Sequence, residues 1–217
     1  MRAITKGAEP PTLTAHRQTE HCDYDNYADK DTLRHALVSE QRGLCCYCMG
    51  RIRNGPTTMK IEHWRCRRHN REEQLAYRNL LGACPGGEGQ PPHLQHCDTR
   101  KGDRDLRWNP ADLSHHVETR LRYEADGSIR SDEGDFNVEL DEVLNLNLPL
   151  LRNNRKGVLD AVLEWWAAEK KRIHGPVPRT HIERERDRRA GRGTGDLTPF
   201  SQVAVWWLQQ RLAVMPA

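Results

Sequence analysis

Long apolar runs are missing from this sequence, and their absence limits where the chain can function. The longest runs, around Val158–Trp166 and Val203–Leu208, fall far short of the roughly 20 residues that a membrane span requires. The opening residues 1–6 lack the apolar core of a signal peptide. We therefore expect a soluble, cytoplasmic protein with no membrane partner.

An excess of one charge sign is also missing, because the formal net charge is only +3. The basic residues are nevertheless unevenly spread, with dense stretches at 65–71, 100–107 and 179–192. Basic stretches beside a site suggest a polyanionic partner such as DNA. The mixed-sign residues 184–189 fit a solvated helix face equally well. No helix-turn-helix signal is evident, so no preferred nucleotide sequence is predicted.

The chain has seven cysteines, an odd number, which argues against a disulfide framework and favours metal ligation or reactivity. All but Cys22 fall in one central block, which consists of Cys45, Cys46, Cys48, Cys66, Cys84 and Cys97. Such clustering is typical of a local metal site.

The segment Cys45-Cys46-Tyr47-Cys48 contains a Cys-x-x-Cys pair, a spacing at which two thiolates can grip one tetrahedral metal. Cys84 and Cys97 are the candidates for a second pair, although twelve residues separate them. Closing such a loop costs little extra free energy, so we expect a structural zinc site. Cys46, Cys66 and His96 are rival ligands, and the alternative is a set of buried free thiols.

Apolar periodicity and turn residues divide the chain into an N-terminal arm at 1–30, a core at 31–110 and a C-terminal extension at 111–217. Pro10-Pro11 is expected to exclude helix from the arm, and Asp31 is the expected N-cap of the first helix. The predicted core elements are a helix at Asp31–Gln41, a knuckle running into a strand at Cys45–Ile52, a strand at Met59–Trp64, a short helix or turn at Asn70–Leu81 and a helix at Cys97–Leu106. The predicted elements of the extension are a β-hairpin around Leu121–Ile129 and helices at Asn154–Ile173 and Phe200–Leu212.

Glu62-His63 is the strongest candidate for chemistry. Phosphodiester hydrolysis needs a base to deprotonate water and a cation to neutralise charge on the leaving oxygen. A histidine suits the first task, and acidic groups that bind a cation suit the second. Neighbouring residues of a strand point to opposite faces, so a bulge or a strand end is needed for both side chains to serve one site.

Four segments resemble, in order and spacing, the motif of HNH endonucleases: Gly43-x-Cys45-x-x-Cys48, Ile61-Glu62-His63-Trp64, Asn79-Leu80-Leu81-Gly82-Ala83-Cys84 and His96-Cys97-Asp98-x-x-Lys101-Gly102. The resemblance implies an α+β, mainly helical chain with a ββα-metal, treble-clef-like nuclease core, a zinc knuckle and a C-terminal helical extension. It also implies metal-dependent hydrolysis of DNA.

The same resemblance implies a role for each motif residue. His63 would be the general base and Asn79 would orient it. Glu62 and Asp98 would bind one catalytic Mg²⁺ or Mn²⁺, although the family usually has histidine where this chain has Asp98; an aspartate still suits a hard cation. The implied ligands of the structural Zn²⁺ are Cys45, Cys48, Cys84 and Cys97. The implied contacts to phosphate or DNA are Lys101, Arg65 and Arg104.

Each of these residues also has a purely structural interpretation. His63 could be a satisfied strand histidine, Asn79 could make a turn and Asp98 could cap a helix. Lys101 and Arg104 could be plain surface charge.

The opening Met1–Pro10 and the late pair Pro199-Phe200 extend the similarity to the small PtuB-like HNH proteins of Septu-type and retron-associated anti-phage systems. That resemblance implies an ABC/SMC-like, PtuA-like ATPase as partner. The alternatives are a zinc-stabilised adaptor that binds nucleic acid or protein without catalysis, and a nuclease that acts on RNA.

Overall fold

The computed structural model describes residues 1–173, 175–191, 193 and 195–215. Over these residues the chain is α+β and mainly helical, with two small two-stranded sheets. The α-helices are α1 (Pro11–Arg17), α2 (Lys30–Glu40), α3 (Cys97–Lys101), α4 (Gly134–Val138), α5 (Pro149–Ile173), α6 (Arg179–Ala190) and α7 (Gln202–Ala213). The strands are β1 (Lys60–His63), β2 (Leu80–Ala83), β3 (Arg122–Tyr123) and β4 (Ile129–Arg130). Shorter helical turns occur at Arg71–Glu73, Tyr77–Asn79, Pro92–Leu94 and Leu113–His115, and a π-helical turn at Glu139–Val143.

No helix in the described part of the chain has both the length and the apolar character needed to cross a membrane.

The central sheet pairs β1 with β2 in antiparallel register, with Glu62 opposite Leu81 and His63 opposite Leu80. The predicted strand at Met59–Trp64 is confirmed as β1. The prediction of a short helix or turn over Asn70–Leu81 is wrong at its end, where β2 begins after two short helical turns. Every residue of β2 is buried, so the strand lacks the polar and apolar alternation that reveals a half-buried strand in sequence.

The end of α2 packs against β2 through Gln41. The Gln41 side chain accepts a hydrogen bond from Gly82 N at 2.6 Å and donates to Gly82 O at 2.7 Å. A Cβ atom at Gly82 would lie 2.9 Å from Ile52 Cδ1, so a larger residue there would require the Ile52 side chain to shift. The bonds fix the cysteine segment beside β2, because Cys46 N also donates to Gly82 O.

Several local expectations in the first half of the chain are corrected by the structure, among them the helix predicted at Cys97–Leu106, which ends at Lys101. Pro10-Pro11 does not exclude helix from the arm, since Pro11 opens α1, where a missing N–H costs nothing. The side chain that caps α2 is Asp29, which accepts from Thr32 N, rather than Asp31. The expected strand within Cys45–Ile52 is reduced to a single bridge between Leu44 and Arg51.

The C-terminal part is built on α5, α6 and α7, which pack around an apolar core. Two predicted helices are confirmed here with shifted ends, and the third basic stretch forms α6. Arg192, at the end of that stretch, lies outside the described residues. The predicted hairpin is confirmed as β3 and β4, and it contacts α7 where the rings of Tyr123 and Trp206 meet at 5.6 Å between centroids.

Candidate metal centre and adjoining cleft

Four buried cysteine side chains come together at one end of the central sheet. The Sγ atoms of Cys45, Cys48, Cys84 and Cys97 all lie within 4.8 Å of one another. Cys45 Sγ and Cys97 Sγ are 3.8 Å apart, and Cys48 Sγ and Cys84 Sγ are 3.7 Å apart. Zinc–sulfur bonds of about 2.3 Å in a tetrahedron require sulfur separations of about 3.8 Å. These four residues could therefore bind a metal such as zinc.

The first cysteine pair sits in a tight turn. Cys45 N donates to Gly50 O at 2.8 Å, and Met49, which adopts a positive φ of 67°, donates from its N to Cys45 O. Gly50 N donates to Cys48 Sγ at 3.3 Å, a contact that stabilises a thiolate. The turn thus presents both sulfurs to the same point.

The second cysteine pair is joined by a long excursion that returns on itself. His96 N donates to Gly86 O at 2.9 Å, and this bond brings Cys97 back beside Cys84. Gly86 has a φ of 59°, and a Cβ there would overlap the carbonyl oxygen of His96. The twelve intervening residues are therefore accommodated without separating the two sulfurs.

The rival ligands of the sequence analysis do not belong to this cluster. Among the described residues, the group of converging ligand atoms includes neither Cys46, Cys66 nor His96. Cys66 is held elsewhere, through its backbone N and Asp105. His96 Nδ1 lies 3.2 Å from Cys97 Sγ, so this ring contacts the cluster from outside.

A cleft of about 850 Å³ opens beside the cysteine cluster. Four residues of the predicted site line it, namely Glu62, His63, Asp98 and Lys101. Because β1 ends at His63, the strand end required for Glu62 and His63 to serve one site is present. The cysteine cluster and the cleft share α3, since Cys97 starts that helix and Lys101 ends it.

His63 is buried and held in one orientation. Its Nε2 lies 3.0 Å from the carbonyl oxygen of Gln74, and the ring of Tyr24 meets it edge-on at 4.6 Å. A carbonyl only accepts, so Nε2 carries the proton and Nδ1 carries the lone pair. Burial lowers the pKa of His63 to about 4, which keeps the ring neutral near pH 7.

Glu62 is fully enclosed between two donors. Tyr47 Oη donates to its Oε1 at 2.6 Å, and Lys101 Nζ lies 2.8 Å from the same oxygen. Lys101 Nζ also donates to His63 O at 2.7 Å, so one ammonium group fixes both residues of the pair. Burial, followed by the nearby carboxyl group of Asp98, raises the pKa of Glu62 well above its usual range.

Asp98 lies on the first turn of α3 with its side chain 22% exposed, and its Oδ2 is 3.7 Å from Lys60 Nζ. Its proximity to Glu62 places two carboxyl groups side by side at the floor of the cleft. Adjacent carboxyl groups repel each other when both are ionised, and Lys101 and Lys60 offset part of this repulsion here. Their oxygens are of the kind that a hard divalent cation could use as ligands.

Asn79 does not hydrogen-bond to the His63 ring within the part of the chain that the structure describes. Its side chain accepts from Arg65 N at 2.7 Å and donates to Arg65 O and Glu73 O at 3.1 and 3.2 Å. These bonds hold the loop that leads to Gln74, whose carbonyl holds His63. A role for Asn79 in orienting His63 stays a prediction.

The three predicted phosphate contacts occupy different surroundings. Lys101 lines the cleft but is only 2% exposed, and two of its three N–H donors are already engaged. Arg65 faces a separate cleft, with its guanidinium over Trp64. Arg104 donates to four backbone carbonyls, which tie α3 to the π-helical turn. DNA contact by these residues stays a prediction. Neither Arg65 nor Arg104 is among the described residues that line the cleft.

Three residues of the site were missed in the sequence. Tyr47 lies inside the Cys-x-x-Cys turn, and its position between two ligands was an available signal. Tyr24 comes from the segment classed as an arm, which has no motif of its own. Gln74 acts through its backbone carbonyl, and a backbone contact leaves no signal in residue type.

No protein-family model matches this chain, and no curated protein matches it. The metal centre and the cleft are therefore the observations from which a function can be inferred.

Proposed function

We propose that this chain is a metal-dependent endonuclease of the HNH class that hydrolyses DNA phosphodiester bonds. The proposal rests mainly on one observation. The neutral, oriented ring of His63 and the adjacent carboxyl groups of Glu62 and Asp98 line the same cleft. Groups with strongly shifted pKa values in a cleft are a frequent mark of an active site. The HNH-like order of these residues in the sequence supports the same function.

The proposed core is a ββα-metal unit formed by β1, β2 and α3. Supporting this view, β1 and β2 are antiparallel neighbours, α3 follows them, and the cysteine cluster joins the knuckle to the start of α3. In this unit Zn²⁺ has a structural role, because all its ligands are buried cysteines and no open ligand position is needed.

In the proposed mechanism, His63 accepts a proton at Nδ1 from the water that attacks phosphorus. The carbonyl of Gln74 retains the Nε2 proton and prevents the ring from turning. Lys101 favours the ionised form of Glu62 against the effect of burial, and it fixes the backbone of His63. As the bond from the water oxygen to phosphorus forms, the bond to the 3′-oxygen breaks and this oxygen takes a proton from solvent, which gives a 5′-phosphate and a 3′-hydroxyl.

Glu62 and Asp98 would hold the catalytic divalent ion. When bound, Mg²⁺ or Mn²⁺ supplies positive charge that offsets the charge developing on the phosphoryl group and the leaving 3′-oxygen. The same charge would favour ionisation of Glu62, whose pKa the neighbouring Asp98 raises. The protein without the ion is therefore electrostatically suited to take it up.

The test is His63→Ala in a DNA-nicking assay with Mg²⁺ or Mn²⁺. Loss of a general base reduces rates by about 10²–10⁴-fold, and zinc content and folding should not change. His69→Ala is the matched control, because His69 is exposed and does not line the cleft. Cutting by His63→Ala at the wild-type rate would refute the proposal. Binding of DNA by wild-type protein without cutting would favour the adaptor, and cutting of RNA alone would favour the RNA nuclease.

A role in anti-phage defence with an ABC/SMC-like ATPase is a further part of the proposal. It rests on the resemblance of Met1–Pro10 and Pro199-Phe200 to the PtuB-like group. Both segments contact the body of the protein: Ile4 N donates to Pro110 O and Phe200 N donates to Met49 O. The partnership is supported by the sequence resemblance alone.

A further inference from the structure

Three cations on the wall of the cleft each hold one carboxylate from a surrounding loop. The ion pairs are Arg67–Asp25 at 2.6 Å, Lys60–Glu88 at 2.9 Å and Arg68–Asp103 at 3.0 Å. All six residues line the same cleft as His63. We refer to Lys60, Arg67 and Arg68 as the cleft cations, and to Asp25, Glu88 and Asp103 as the guarding carboxylates.

The guarding carboxylates are exposed and lightly held. Their side chains are 77%, 63% and 58% exposed for Asp25, Glu88 and Asp103. Exposed ion pairs are screened by solvent and contribute little to stability, so a competing anion can displace the carboxylate. They come from three separate parts of the chain: the segment before α2, the excursion between Cys84 and Cys97, and the loop after α3. The cleft is therefore ringed by negative groups on several sides.

The cleft cations are arranged to serve a second anion. Guanidinium groups bind phosphate in the same forked geometry as carboxylate, and lysine binds either as a point charge. Arg71 also lines the cleft, and within the described residues no ion pair involves it. Arg71 is thus open to a first contact with an incoming anion while its neighbours are occupied.

We infer that the cleft cations form the binding wall for the phosphate backbone of a nucleic-acid strand. In the free protein the guarding carboxylates occupy this wall and lower its affinity for nucleic acid. A bound strand exchanges each carboxylate for a phosphate and leaves the backbone beside His63. The inference rests on the proposed function for its ligand class.

The test compares wild-type protein with the triple variant Asp25→Asn, Glu88→Gln, Asp103→Asn. The probe is a short fluorescein-labelled DNA duplex, followed by anisotropy without added divalent ion over a range of salt concentrations. Removing negative charge from a phosphate-binding surface should tighten binding by about tenfold at low salt, and the gain should shrink as salt is raised.

The control is a second triple variant, Glu124→Gln, Asp160→Asn, Glu183→Gln. These carboxylates are also exposed and paired with Arg122, Lys156 and Arg179, but none of them lines the cleft. It has the same net charge as the first variant, and its affinity should stay within about twofold of wild type. Equal gains in both variants, no gain in the first, or no binding by any protein would overturn the inference. Tighter binding confined to the first variant together with absence of cutting would support the inference and refute the nuclease proposal. Cutting of DNA, together with equal DNA affinities of the two triple variants, would support the nuclease proposal and overturn the inference.

Discussion

The central region, residues 31–110, and the C-terminal helices α5–α7 both bury apolar side chains, but they differ in the polar groups that are buried with them. The helices bury mainly apolar groups such as Val162, Ile182 and Leu208. The central region buries Glu62 and Lys101, other polar side chains and the cysteine cluster, and its strands are only four residues long. Apolar packing can hold long helices together, whereas such short elements gain stability from side-chain bonds to backbone and from a metal where one binds.

Each region also contains one almost fully buried basic side chain, and the two side chains have different hydrogen-bond partners. Arg155 of α5 is 1% exposed, and its guanidinium donates hydrogen bonds to Gly127 O, Leu146 O and Asn147 Oδ1. These hydrogen bonds attach the β3–β4 turn to α5. Lys101 is equally buried, but it fastens the two residues proposed for chemistry. Buried charge thus serves packing in one region and positions a site in the other.

The largest difference in response between the central region and α5–α7 is expected from Cys48→Ser. Structural zinc supplies about 10–16 kcal/mol in small zinc-binding units, so loss of one ligand should release the metal and disorder the central region. Elemental analysis should show the loss of zinc, and limited proteolysis should show cleavage within residues 31–110. Leu208→Ala should instead cost about 2–5 kcal/mol of global stability and leave zinc content unchanged.

Cys22→Ser is the matched control for the cysteine change, because Cys22 is partly exposed and outside the cluster. Full zinc content in Cys48→Ser, or equal loss in Cys22→Ser, would contradict the assignment of the four ligands.

A smaller effect is expected from Asp98→Asn, which tests whether the carboxyl groups of the cleft bind a divalent cation. Loss of one charged oxygen ligand should raise the Mg²⁺ or Mn²⁺ concentration for half-maximal cutting by about tenfold or more, while structural zinc stays bound. Asp160→Asn on α5 removes the same charge from the other region and should leave the metal titration unchanged. An identical titration for both variants would exclude Asp98 as a ligand.

The smallest effect concerns the pH dependence of cutting. Because the pKa of His63 is lowered to about 4, the base is unprotonated over the whole range in which an ordinary histidine titrates. Glu62, whose pKa is raised, must lose its proton to bind the ion. We therefore expect activity to fall at low pH through protonation of Glu62, and this acid limb to move to lower pH as Mn²⁺ is increased. An acid limb fixed near pH 6.5 at every Mn²⁺ concentration would show that an ordinary histidine titration governs the rate.

Cysteine spacing in the sequence was sufficient to select the four cysteines that could bind a metal, whereas the grouping of Glu62, His63 and Asp98 came from the resemblance to HNH endonucleases. Cysteine spacing is a property of short segments, and it can therefore be recognised without knowledge of the fold. The long Cys84–Cys97 separation was tolerable because the closure depends on one backbone bond, from His96 N to Gly86 O.

The parts that sequence could not supply depend on backbone partners or complete burial. β2 is buried on both faces and has no alternation to read. Asn79 and Arg104 bind backbone carbonyls whose positions follow from the tertiary fold, and residue type does not reveal such bonds. The guarding carboxylates are ordinary surface residues in sequence, and only their convergence on one cleft distinguishes them.

Tyr47 has a consequence for how this molecule could change over evolutionary time. It lies between two cysteines of the cluster, while Lys101 lies one helical turn after Cys97, and both side chains meet at Glu62. Any substitution that shifts either half of the cluster moves a donor of that carboxylate as well. We therefore expect substitutions in the cysteine cluster and substitutions around Glu62 to be linked, and substitutions in the loops and in α5–α7 to be freer.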